Sequence, residues 1–324
     1  MKKQTTKLCC LILLGLAPLA HAEANWPTKP IKLIVSHAPG SSPDVLARYL
    51  SARLADQLPQ PLVIENRPGG QNIIGSQAAA RATPDGYTLF YGTTGALVSN
   101  VYTIDKLPYD PKTDFTPVRF IGYSPFMVAA YPGFEPTTLK QAIDLSMRHT
   151  DKVSVATEAS KTFSGILASA LKETGKAQWS NVPYSKSSEA IQDTIAGRTQ
   201  LVVLPTAVVL TQVQEKRLKA LAVNTKSRLS NQPDVPTIAE TFPGFDFSAW
   251  HMLVAPAGTP TPILTRLNEA ISQVLAAPEV KHYLESLGIA TDPALSSLAA
   301  NRDFLKKEHE TWAGLVQRLG IQPE

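Results

Sequence analysis

IKLIVSHAPGSSPDVLARYLSARLADQL, residues Ile31 to Leu58, decides how this chain is read. IKLIVS is a β-branched apolar run, the pattern of a buried strand. HAPGSSPD follows as a tight loop. VLARYLSARLADQL then reads as an amphipathic helix, with Leu46, Leu50, Leu54 and Leu58 on one face. Ser42 is placed to cap that helix, and Pro43 suits its first position. A strand that turns directly into a helix start leaves backbone N–H groups unpaired beside Ser hydroxyls, at the positive end of the helix dipole. Such a junction seats a carboxylate or another small anion. Taken alone, it reads more readily as an ordinary βα turn.

The same alternation continues outward. Strands are expected at Pro61–Glu65, Tyr87–Tyr91, Phe126–Ala130, Lys152–Ala156, Trp179–Val182, Leu201–Leu204, Lys219–Val223 and Ala249–Ala255. Helical patterns lie between them at Leu139–His149, Thr162–Thr174, Ser187–Ala196 and Ala207–Gln214, the first with Thr138 and Gln141 in capping-box spacing. This order predicts α/β layers built on mostly parallel sheets. The C-terminal part reads as three successive helices, Pro262–Ala276 (capped by Thr261), Pro278–Leu287 and Ser297–Leu319. Leu298, Leu305, Trp312, Leu315 and Leu319 form a core-facing stripe on the last. The 26 prolines cluster in connections, as suits rigid lobes with defined crossings.

The N-terminus indicates export. Lys2, Lys3 and Lys7 precede LCCLILLGLAPLA, an apolar run too short to span a bilayer well, and Ala20-His21-Ala22 is an A-x-A cleavage site. Cleavage there leaves a chain starting at Glu23 with neither Cys9 nor Cys10, so no disulfide, thiol nucleophile or Cys-based metal site is expected. It also removes three Lys and no acid, leaving 28 basic against 27 acidic side chains, a formal net charge of +1. That balance offers nothing to nucleic acid or a membrane surface.

The search for reaction chemistry is negative. There is no G-x-S-x-G elbow and no H-E-x-x-H. His37, His149, His251, His282 and His309 are scattered singly. Gly69-Gly70 with Gly75 reads as a turn feeding a helix, not as a dinucleotide loop. His37, Ser41, Ser42 and Asp44 have the residue types of a small-ester hydrolase, but they share one short loop, and triads draw on distant segments. What does recur is the opening device. GTTGALVSN (Gly92–Asn100), TEASKTFSG (Thr157–Gly165) and PYSKSSEA (Pro183–Ala190) each follow a strand with small hydroxylated residues and then a helical pattern. In open α/β sheets, ligands bind beyond the carboxyl ends of the strands. Four such junctions without catalytic groups predict a polar cleft that binds and does not react. No cofactor and no metal are expected.

WPTKPIKLIV, APGSSPDVLARYLSARL, VIENRPGGQNIIGSQAAARATPDGYTLFYGT, LPYDPKTDFTPV, VPYSKSSEAIQDTIAGR, LKALAVNTKSRLSNQPDVPTIAE and WHMLVAPAGTPTPILTRLNEAI together resemble a Bug-type receptor, from Trp26 to about Gly320. These are the extracytoplasmic solute-binding receptors of tripartite tricarboxylate transporters. The resemblance implies a two-lobed periplasmic binding protein of type II-like α/β fold, with residues 23–122 and 225–324 in one lobe and 123–224 in the other. It further implies a small carboxylate held in the interlobe cleft, delivery to membrane permease subunits, and a monomer; a sensory co-receptor for the same ligand class is the neighbouring possibility. Carried onto this chain, the ligand contacts are His37, Ala38, Pro39, Gly40, Ser41, Ser42 and Asp44 in the first loop, with Asp44 supporting the loop. Thr93 and Thr94 follow in the second junction. The other lobe supplies Ser160, Lys161, Thr162, Phe163, Ser164, Tyr184 and Leu204.

Several positions depart from the family pattern. Serines replace glycines in the first loop, the common Gly-Asn-Gly-Thr-Ser-Ser-His stretch reads Ala159 to Gly165, and Leu204 stands where an acid is frequent. The loss of that acid and the gain of Lys161, Phe163 and Leu204 predict a ligand with an apolar or aromatic body and no ammonium group.

Overall fold

The computed structural model describes residues 25–245 and 247–323; the expected export signal, residues 1–22, lies outside them. Among the described residues the strands are β1 (Ile31–Val35), β2 (Leu62–Asn66), β3 (Thr88–Thr93), β4 (Phe115–Ser124), β5 (Phe126–Ala130), β6 (Ser154–Glu158), β7 (Ser180–Tyr184), β8 (Leu201–Pro205), β9 (Lys219–Val223) and β10 (Ala249–Pro256). They form two five-stranded sheets, ordered β2-β1-β3-β10-β4 and β7-β6-β8-β5-β9. Helices cover both faces. In β10, Trp250, Met252 and Val254 join one apolar cluster while Leu253 and Ala255 join another, so consecutive residues point to opposite layers and the strand reads as an apolar run broken by His251.

Nine of these strands lie within two residues of their expected places. The tenth, β4, is hidden in the sequence by Pro117 and Arg119. Pro117 is tolerated because β4 is an edge strand. Arg119 is buried, and its guanidinium donates to the Leu295 carbonyl. The long helix Leu298–Leu319 covers that edge: Asn301 Oδ1 accepts from the Phe120 N–H (2.6 Å) and Glu308 Oε2 accepts from the Trp250 indole (2.6 Å).

The sheets are mixed: in each, four of the five strands run the same way, as expected, and one runs against them. β1 runs parallel to β2 and β3, and β6 runs parallel to β7 and β8. β10 is antiparallel to β3 and β4, and β5 is antiparallel to β8 and β9. The reason is the route of the chain. A parallel neighbour needs a crossover helix, whereas β5 follows β4 across Pro125 alone and β10 arrives from the other sheet through residues 224–248. β4 therefore leaves the first sheet at the edge where β1 and β3 end. β5 enters the second at the edge where β6 and β8 end. The carboxyl ends of both parallel sets face the same double crossing.

Asn224 fastens the crossings. It is 4% exposed. Its backbone N–H donates to the Phe126 carbonyl (3.1 Å), its Oδ1 accepts from the Phe126 N–H (2.6 Å), and its Nδ2 donates to the Phe247 carbonyl (2.9 Å). One side chain thus holds the start of β5 and the approach to β10. Asn224→Ala leaves a buried N–H and a buried carbonyl without that partner. The expected cost is about 2–4 kcal/mol, read from the urea midpoint; a loss below about 0.5 kcal/mol, the range of neutral surface changes, would show that packing alone holds the crossings.

Candidate functional site

The loop after β1 is built around a carboxylate. Asp44, 2% exposed, lies in the first turn of the helix Ser42–Leu54. Its Oδ2 accepts from the Gly40 N–H (2.8 Å) and Arg48 Nε (3.1 Å), and its Oδ1 accepts from Asn66 Nδ2 (2.7 Å). Burial alone would raise its carboxyl, but Arg48, Gly40 and Asn66 outweigh that and hold it below the usual range. Asn66 Nδ2 also donates to the His37 carbonyl (3.1 Å), so both ends of the loop are tied to β2 and the helix. Gly40 sits at φ +80°, in the left-handed region that favours glycine. Ser42 is the first helical residue; the N-cap place falls to Ser41, whose hydroxyl makes no cap bond. Ala38, Pro39 and Gly40 remain exposed on the rim.

Behind the loop lie two imidazoles. His37 is half-buried, with Nδ1 3.4 Å from the Ser36 hydroxyl, which itself donates to Asn72 Oδ1 (3.3 Å). His251 pairs with Thr93 across β10 and β3, and its ring lies 5.3 Å from that of Tyr91. Burial pushes His37 down to about 4 and, with His37 adding to the effect, His251 down to about 3. Both are neutral in neutral solution. Thr93 Oγ1 accepts from the Ala96 N–H (3.4 Å). Thr94 Oγ1 accepts from the Trp250 N–H (2.8 Å) and donates to the Trp250 carbonyl (3.4 Å). The two threonines therefore shape the junction into the π-helical turn Gly95–Ser99.

In the second sheet the junction after β6 leads to the helix Phe163–Gly175. Ser164 Oγ accepts from the Glu158 N–H (3.0 Å) and donates to the Val203 carbonyl (2.5 Å). Thr162 Oγ1 donates to the Ala159 carbonyl (2.7 Å), and Ser160 is exposed. A Cβ on Gly165 would collide with the Ser160 backbone, so the loop can fold this tightly only over glycine.

Three of the predicted side-chain contacts change role. Phe163 is buried and stacked on Phe247 (ring centroids 4.5 Å, planes 10° apart), with Phe126 at 4.8 Å and Trp312 at 6.2 Å. Leu204 is wholly buried with Met127 and Val209 in the core of the second sheet. The Lys161 ammonium donates to the carbonyls of Thr103 and Gln322 (3.2 Å each), which ties this junction to the first sheet's side. Two other apolar surfaces claim Phe163 and Leu204, so neither gives a ligand an apolar wall. Tyr184 donates its hydroxyl to Asp193 on the helix Ser187–Ile195 (2.9 Å). Glu158 escapes a sequence reading that ends this strand at Ala156. β6 runs two residues further and carries the acid to its tip, where Glu158 Oε1 accepts from Ser187 Oγ (2.6 Å).

The family model described as the tripartite tricarboxylate transporter family receptor matches residues 46–321. The chain belongs to this receptor family. It is 30% identical over 310 residues to BugT of Bordetella pertussis, covering 95% of this chain and 94% of that one. Three solved structures share the fold of this receptor. The periplasmic binding protein BugD superposes with a TM-score of 0.84 at 27% identity, over 92% of this chain and all of that one. A Rhodopseudomonas palustris protein solved with adipate gives 0.86 at 28% identity, over 93% of this chain and 100% of its own. MatC of Rhodopseudomonas palustris, solved with malate, gives 0.81 at 31% identity, over 90% and 100%.

Two outcomes follow for the receptor. Asp44→Ala frees the Gly40 N–H and releases Arg48, so amide exchange should accelerate at Gly40 and its loop neighbours while the sheets stay protected; unchanged exchange there would show that Asp44 does not hold the loop. His37, His251 and His309, the last also lowered to about 4 by burial and then by Lys112, all titrate below the unfolded value of about 6.5. The unfolded chain therefore binds more protons below that pH. Stability is complete above about pH 6.5 and falls as pH drops toward the folded values. His251→Gln should flatten the decline of the urea midpoint between about pH 6.5 and 4; a slope as steep as that of the unaltered chain would refute the neutral burial of His251.

Proposed function

We propose that this receptor captures a small carboxylate between the two opposed sheet edges and delivers it to the membrane permease subunits of a tripartite tricarboxylate-type transporter. The observation that carries this is the convergence of strand ends on one crossing. The junctions after β1 and β3 face those after β6 and β7, and the helices Ser42–Leu54, Phe163–Gly175 and Ser187–Ile195 all start there. Helix starts offer N–H groups and a favourable dipole to an anion. Adipate and malate in two similar proteins are both carboxylates. The preference for an apolar body does not carry over, because Phe163 and Leu204 belong to the core. The A-x-A signal and the likeness to a periplasmic binding protein support work in the periplasm, and the reading is of a monomer that binds without turnover.

In this reading the carboxylate first meets the loop His37–Asp44. Asp44 does not repel it, because its oxygens are filled by Gly40, Arg48 and Asn66. Donors of the second edge then close on the bound anion, shifting an open–closed equilibrium by their added contacts. Calorimetric titration with a panel that includes adipate, malate, succinate and amino acids should give saturable heat for at least one carboxylate, and small-angle scattering should show a smaller radius of gyration at saturation. No heat from any carboxylate would overturn the binding assignment. An unchanged radius at saturation would overturn closure.

A further inference from the structure

Glu158 is a side chain the carboxylate reading leaves unused. It ends β6 opposite Tyr184, between the starts of the helices Phe163–Gly175 and Ser187–Ile195. Its side chain is partly exposed. Protein packs around it densely enough that burial raises its carboxyl in spite of the bond from Ser187, yet the side chain still touches solvent. A carboxylate in such a place calls for a cation, because an unpaired charge at low dielectric is costly.

Among the described residues none is supplied. Among the described residues Glu158 belongs to no ion pair, and its one side-chain hydrogen bond comes from Ser187 Oγ. The lysines of its own junctions are directed elsewhere: Lys161 to the carbonyls of Thr103 and Gln322, Lys186 to Glu189 at 3.5 Å. The first edge holds the start of the helix Ser42–Leu54 and the neutral imidazole of His37. The two edges are thus chemically unlike, one suited to an anion and the other offering an acceptor.

We propose that Glu158 is the specificity residue of the second edge, accepting the ammonium group of a small amino monocarboxylate whose carboxylate sits in the loop after β1. The proposal rests on the carboxylate reading and sharpens it. It also reverses the ligand preference expected from sequence, which was for a ligand without an ammonium group. A second carboxylate directed at Glu158 is repelled, so a dicarboxylate of equal length is the poorer ligand.

The test is calorimetry on the full exported chain with matched probes: 6-aminohexanoate against adipate, and 4-aminobutyrate against succinate, each with its hydroxy analogue. At pH 7 the amino ligand of at least one pair should bind tenfold or more tightly than its dicarboxylate. Glu158→Gln should shrink that ratio about tenfold. The preference should also fade as pH drops through the Glu158 carboxyl. Ser187→Ala, which removes the bond that favours the ionised form, should move that loss to higher pH, a displacement that a purely structural role for Glu158 would not produce. Dicarboxylates bound as well as the amino ligands, or hydroxy analogues matching them, would overturn this inference and leave the carboxylate reading standing. No binding of any probe, amino or not, together with silence from the wider carboxylate panel, would overturn both.

Discussion

The double crossing between the sheets is the constraint from which the rest of the molecule follows. β4 passes into β5 with only Pro125 between them, and β9 returns to β10 through residues 224–248. Each sheet therefore receives a strand at the edge where its parallel strands end, and that strand has to run against them. The antiparallel halves, the opposed junctions and the gathering of helix starts on one line are consequences of this route. Asn224 makes the route rigid by bonding to Phe126 at the first crossing and to Phe247 at the second. A short linker alone would let the edges face each other. A buried amide with both of its groups in use fixes their register.

Within that frame, the two edges solve the problem of holding charge in different ways. The loop after β1 contains a buried carboxylate, which would oppose an anionic ligand if it were free. It is instead consumed by Gly40, Arg48 and Asn66, so its negative charge is spent on shaping the loop. Burial keeps the imidazoles behind it neutral, so this edge relies on dipoles and not on a fixed cation. The junction after β6 has the opposite arrangement. There an acid is retained with a single hydroxyl partner, while the nearby ammonium of Lys161 is committed to carbonyl oxygens. The chemical polarity of the cleft runs from one sheet to the other.

Much of this was legible before the fold was in hand, and the reason is periodicity. Apolar runs of strand length and leucines every fourth residue report burial directly, so most elements fell close to their places. β4 was not legible because its signal is broken by a proline and an arginine whose needs are met by an edge position and by Leu295. The junctions were legible in position, but their side-chain contacts were not. The Ser-rich junctions mark strand ends, whereas the direction of a side chain there depends on partners far along the chain. Phe163 reads as a ligand wall only until Phe247 and Trp312 are placed beside it. Glu158 was missed for a smaller reason. A strand end misplaced by two residues takes an acid off the tip and puts it into a loop.

The aromatic contact that removes Phe163 from the ligand also joins the second edge to the last helix. The helix Leu298–Leu319 is bound to the first sheet by directional bonds, from Phe120 to Asn301, from Trp250 to Glu308, and from the Tyr102 hydroxyl to the His309 carbonyl (2.7 Å). Toward the second sheet it packs Trp312 against Phe163, with Phe247 of the crossing beside both, and Lys161 donates to the Gln322 carbonyl just beyond its end. Apolar ring contacts are non-directional, so they allow small displacements without breaking a hydrogen bond. The helix is therefore a fixture of the first sheet, and the junction after β6 is held to that side both by the ring stack and by the bonds of Lys161 to the Thr103 and Gln322 carbonyls. Burial of Phe163 in this stack thus gives it a packing role in place of the ligand contact expected of it.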